Sequence, residues 1–217
     1  MPRDWEGVVS GMSPAQKLVH LAMRSDSFSE EQIRGELTRM RRRAYEDELT
    51  IQARRVGCGS RRGRLTTGPS LTALNELSIT DAASIVNTYN YDLAIAILNI
   101  AAETPAANRH VYAKRLSGWE AKRNQWKAAQ ITQNTEGTAR SMGQKDFCTF
   151  NDVQGFAVLR PTVAVCPVCV GWIKRGQVSL KVAENNPPPY HPNCPHLWET
   201  RPNQVAKLEC PNLWMGD

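Results

Sequence analysis

The chain has 217 residues, of which 41% are hydrophobic and 7% aromatic, and it carries a net charge of +6. That size suits one medium domain or two small ones with a packed core. The longest apolar run, residues 93–102, is about half of what a bilayer crossing needs, so a membrane span is excluded. The basic balance, with an isoelectric point near 9.1, is compatible with nucleic acid or an acidic protein surface but selects neither.

Helical signals dominate the first two thirds. Ser13-Pro14 supplies an N-cap and a first-turn proline for a helix through Leu18, Leu21 and Met23. Ser29-Glu30-Glu31 opens a second, with Ile33, Leu37 and Met40 at helical spacing and a basic far end before Gly57 and Gly59. Residues 57–70, GCGSRRGRLTTGPS, read as a hinge loop. Its Arg61-Arg62-Gly63-Arg64 run suits either a solvated surface or contact with a nucleic-acid backbone.

A third helix is predicted from Thr80-Asp81 to Glu103, and a long fourth from Ala106 to about Arg140, after the break at Pro105. In the fourth, Tyr112, Trp119 and Trp126 recur every seven residues with Leu116 between them, which predicts a buried aromatic seam. Lys114, Arg115 and Lys122 fall on the opposite face. Past residue 145 the character changes. Residues 156–165 contain short β-favouring runs, and proline becomes frequent up to Pro187-Pro188-Pro189. The predicted architecture is mainly α: an elongated helical part over 1–145 and a small α+β zinc-binding module over 146–217.

That module holds the most specific chemistry. Cys166-Pro-Val-Cys169 is followed by His191-Pro-Asn-Cys194-Pro-His196. Thiolates two residues apart aim both sulfurs at one ion, and a thiolate–imidazole set of four is the chemistry of structural Zn²⁺. Cys166, Cys169 and Cys194 are three of the ligands. The fourth is His191 or His196: a turn brings His191 toward Cys194, whereas an extended segment puts His196 on its side. Four protein donors leave no open position, so the ion is expected to be structural. Metal binding would supply on the order of 10 kcal/mol of folding free energy to a module with little core of its own. A disulfide framework is the competing reading of six cysteines. The polar, charged start MPRDWEGVVSGMSPAQK and the interleaved histidines favour metal. Cys58, Cys148 and Cys210 are expected to be free thiols.

Catalytic signatures are missing. Tyr112 stands where a zinc deaminase's glutamate would follow His110, and there is no His-Glu-x-x-His, Walker-type loop or Gly-x-Ser-x-Gly elbow. A non-enzymatic role is expected.

Cys166-Pro167-Val168-Cys169 together with Pro188-Pro189-Tyr190-His191-Pro192-Asn193-Cys194 resembles the minor head proteins of tailed bacteriophages, the Mu F-like head morphogenesis family. Thr135-Glu136 matches a Thr-Glu pair on the family's preceding helix, and the resemblance covers about residues 119–200. The family usually continues with Arg-Cys, where this chain has Pro195-His196; the exchange keeps a zinc-competent donor and favours His196 as ligand. The resemblance implies a virion component of the inner head or neck, made in the host cytoplasm. It would be present in several copies around the portal protein, touching other head and neck proteins and the genomic DNA. The alternative reading is a zinc-stabilised DNA-binding module or an HNH-like nuclease.

Overall fold

The computed structural model describes residues 30–58, 69–104, 109–159, 166–191 and 194–203. The helix predicted over 13–23, the Arg61–Arg64 run and Cys210 lie outside the described residues. Three long helices come first: α1 (Glu30–Arg55), α2 (Pro69–Glu103) and α3 (Arg109–Phe150). They are followed by β1 (Gly155–Leu159), α4 (Pro167–Arg175), β2 (Gln177–Ser179), α5 (Leu180–Asn185) and β3 (Trp198–Pro202). The mainly helical first part and the small α+β part match the predicted fold class.

Two helix boundaries differ from expectation. The start of α2 is Pro69 rather than Thr80: proline costs nothing at a helix start because its missing N–H has no partner there. Leu71, Leu74 and Ser78 then continue the inward face, with Leu74 and Ser78 buried. Likewise α3 runs past Arg140 to Phe150, because Ala139, Phe147 and Cys148 keep helical spacing into the core.

The chain forms two compact units, each assembled from separate segments: residues 1–36 with 78–129, and residues 37–77 with 130–217.

In the first unit, Tyr89, Leu93, Ile97 and Ile100 of α2 pack on Ala113 and Leu116 of α3, flanked by Tyr112 and Trp119. Spacings of three and four residues put these side chains on facing stripes. The Tyr89 hydroxyl donates to Glu120 Oε1 at 2.5 Å. Arg123 pairs with Asp92 at 2.9 Å and lies 4.7 Å from the Tyr89 ring centroid, so its charge meets both a carboxylate and a π face. The predicted aromatic seam holds for Tyr112 and Trp119 only. Trp126 is 57% exposed: a heptad repeat drifts by about 20° per seven residues on a straight helix, which carries the third aromatic off the buried face.

In the second unit, Tyr45, Leu49 and Ala53 of α1 and Ala139 and Phe147 of α3 share one core with Ala157, Leu159, Leu180 and Trp198 of the α+β part. Helices α1 and α3 approach closely at Gly143, where an added Cβ would lie 3.0 Å from the Tyr45 carbonyl oxygen. The sheet has order β2-β1-β3, antiparallel throughout. Alternation along β1 turns Ala157 and Leu159 inward, opposite Thr200 and Trp198 of β3. At Gly155 any Cβ would stand 2.4 Å from the Arg201 carbonyl oxygen, so only glycine fits there.

Polar groups cross this core as a connected set. Gln52 donates to Glu48 Oε1 at 2.5 Å, Thr200 donates to Gln52 Oε1, and Arg55 donates to Thr200 Oγ1 at 3.3 Å. Burial raises the Glu48 carboxyl above its ordinary range, against the lowering effect of Gln52 and the nearby arginines. Tyr45 donates to Asp146 at 2.5 Å, and burial with that carboxylate lifts its phenol well above the usual tyrosine range.

Candidate metal centre

Local backbone signals place the first two donors. Cys166 is the N-cap of α4 and Pro167 opens the helix; the Cys166 sulfur accepts the Cys169 N–H at 3.3 Å. Helix geometry thereby brings Cys169 back over the cap, with the two sulfurs 3.2 Å apart. The remaining donors come from the segment before β3. Its turn is closed by the Cys194 N–H donating to the His191 carbonyl at 3.1 Å, after which Cys194 and His196 point into the core together, both buried. The Pro188-Pro189 peptide bond is cis, and its neighbourhood is fixed by Ser141 donating to the Pro188 carbonyl at 2.8 Å.

All five sequence-predicted residues meet here. Cys166, Cys169 and His191 form one group, and Cys169, Cys194 and His196 a second, each with ligand atoms within 4.8 Å of one another. Cys169 is the shared member, fully buried. A tetrahedral zinc site has edges of about 3.8 Å between sulfurs and about 3.6 Å between sulfur and nitrogen. The Cys169–Cys194 separation is 3.8 Å and the Cys194 Sγ–His196 Nδ1 separation 3.6 Å. Cys169 Sγ lies 3.8 Å from His191 Nε2. The donors, chemically and by distance, can hold a metal ion such as zinc.

Electrostatics divide the thiols. The Cys169 N–H pulls the Cys166 thiol down, because the hydrogen bond favours a thiolate. Burial, with the neighbouring thiols, pushes Cys169 up to about 12. A cation at the centre would reverse that, since it stabilises the charged form. Burial lowers His196, which favours the neutral imidazole a metal requires.

Sequence reasoning missed the surroundings. Trp172 stacks on Tyr190 at 6.3 Å and meets Trp198 edge-on at 5.5 Å. The Asn186 carbonyl accepts both Trp198 Nε1 at 2.8 Å and the Tyr190 hydroxyl at 2.9 Å. This aromatic group packs against the core that contains the ligand cysteines. The only advance signal was aromatics immediately flanking the donors at 172, 190 and 198. Thr135 is buried in α3, with Glu136 half-buried beside it.

The other cysteines split. Cys148 is a free, buried thiol as expected. Cys58 is disulfide-bonded, which corrects the expectation of a free thiol. Three residues before it, α1 ends at Arg55, and the turn that follows is closed by the Cys58 N–H donating to the Ala53 carbonyl at 2.9 Å; a single isolated cysteine carries no spacing from which pairing can be read.

Fold and centre together define a helical protein with a small α+β module built around a mixed thiolate–imidazole cluster. Compared with models of known families, with curated proteins and with solved structures, the chain matches none. Among the described residues, no helix is long and apolar enough to cross a membrane.

Proposed function

We propose that this chain is a non-enzymatic minor head or neck protein of a tailed bacteriophage, with a structural Zn²⁺ in its C-terminal module. The observation that carries the reading is the ordered pair of motifs, Cys-Pro-Val-Cys and Pro-Pro-Tyr-His-Pro-Asn-Cys, whose donors converge on one centre. Five donors exceed what a tetrahedral ion takes, so water has no place on the metal and the ion acts as a staple. The histidine not bound directly would hold the centre through a hydrogen bond.

Support for a docking role comes from α2. Tyr91, Ile95 and Leu98 are exposed at spacings of four and three, on the side opposite Leu93, Ile97 and Ile100. An apolar stripe on an already packed helix suits attachment to a portal or a neighbouring copy. Cryo-EM of the assembled particle tests the assignment: density for this chain is expected at the portal vertex, in the inner head or the neck. Its absence from purified virions and procapsids would overturn the reading.

A further inference from the structure

Two stretches of the sequence are strongly basic: residues 54–64 hold five arginines and no acid, and the second lies in the first half of α3. Residues 109–129 of α3 contain six Lys and Arg against one Asp or Glu, a net +5 in a protein of net +6. The single acid, Glu120, is buried and accepts the Tyr89 hydroxyl. Arg123 is likewise turned inward to Asp92. Lys114, Arg115 and Lys122 point outward on the exposed side of the helix. Arg115 is the only one of these paired among the described residues, with exposed Glu103 at 2.9 Å.

Trp126 belongs to this face rather than to the buried seam. Positions 115, 122 and 126 are spaced by seven and four residues, so they form one stripe along the helix. Gly118 and Ala121, between them on that side, are small. The indole is 57% exposed, and Lys127 Nζ lies 4.7 Å from its ring centroid. An exposed aromatic among cations, with Glu103 at Arg115 the carboxylate paired to this face among the described residues, is the combination that binds a phosphate chain and stacks a base.

We propose that the outward face of α3 over residues 109–129 binds single-stranded nucleic acid. Lys114, Arg115 and Lys122 contact phosphates, and a base stacks on Trp126 with Lys127 beside it. The inference rests on the first unit alone, independent of the metal centre and of the phage assignment.

Fluorescence anisotropy of the full-length protein with a labelled oligothymidylate, over a salt series, tests it. Binding is expected to weaken steeply with salt and to be abolished in the Lys114→Glu/Lys122→Glu variant. Trp126→Ala should weaken binding by about tenfold, whereas Trp126→Phe, which keeps a stacking ring, should stay near wild type. Circular dichroism and metal content should be unchanged in all of these, since the positions are exposed. The proposal is overturned by any one of four results: no binding at low salt, unchanged binding in the α3 variants, a duplex bound as tightly as the single strand, or polyglutamate competing as well as the oligonucleotide. Loss of binding on replacing Arg61, Arg62 and Arg64 by alanine, with the α3 variants unaffected, would overturn it too.

Discussion

The two units reach stability by different physical means. The first is a helical pair whose apolar stripes meet along α2 and α3, with Leu93 and Leu116 at its centre. Each side chain there contributes a share that scales with its buried area, and losing one weakens the whole in proportion. The second ends in strands of three to five residues and helices of six and nine. Elements that short gain little from repetition, so a few groups of high individual value take over. A cluster of five donors, three aromatic rings and a buried polar relay fill that role. The contrast teaches where single substitutions should be graded and where they should be all-or-none.

Removing the hub gives the largest separation between the units. Cys169→Ser should abolish metal binding and unfold the α+β part, forfeiting on the order of 10 kcal/mol. The first unit should keep its helical signal, and metal analysis with thermal unfolding followed by circular dichroism would check both. A strong chelator should reproduce that loss. His196→Ala should lose metal more readily than His191→Ala, because His196 is buried at tetrahedral distance from Cys194 whereas His191 is half-exposed. Competitive metal titration of the two variants measures the difference.

A graded response is expected from Leu93→Ala, which should cost about 2–5 kcal/mol and leave bound metal at wild-type stoichiometry. If metal were lost as well, the units would not be independent in their stabilisation. Gly155→Ala should come next, at about 1–3 kcal/mol, since its Cβ would displace the Arg201 carbonyl and part β1 from β3; denaturant titration gives the value. Smallest is the effect of Glu48→Gln. Burial raises the Glu48 pKa in the fold, so the folded state holds its proton more tightly than the unfolded chain does. Stability linked to this group is greatest below about pH 4.5 and falls as pH rises through the raised folded value. The amide should therefore melt a few degrees higher than wild type at neutral pH, on the order of 1–5 °C, and the gap should close in acid.

What was legible in the sequence follows from the range of the interactions involved. Cap residues and helical spacing act over one or two turns, so α1 is readable to within a residue at its start. The metal donors were legible for the same reason, as ligand spacing within each motif is short. Thr80-Asp81 misled because a capping pair inside a helix looks like a beginning when its neighbours are not weighed, although Pro69 had already supplied the start. The relay from Gln52 to Thr200 joins residues 148 apart, and no local pattern marks a glutamine as the partner of so distant a threonine. The meeting of Trp172 with Trp198 is hidden in the same way, since it depends on the turn that carries His191 to Cys194.

Cys148 has a use that its burial creates. The side chain lines a narrow cleft with Gln144, Glu184 and Thr200. Burial, aided by the negative charges of Glu184 and Glu48, pushes its thiol up to about 12. A thiol so protonated and enclosed reacts with an alkylating reagent only when the surrounding structure opens. With reagent in sufficient excess for alkylation to outpace reclosing, its modification rate therefore reports the frequency of that opening. Mass spectrometry of the Cys148 peptide would turn this silent residue into a clock for the breathing of the second unit, read without any engineered probe.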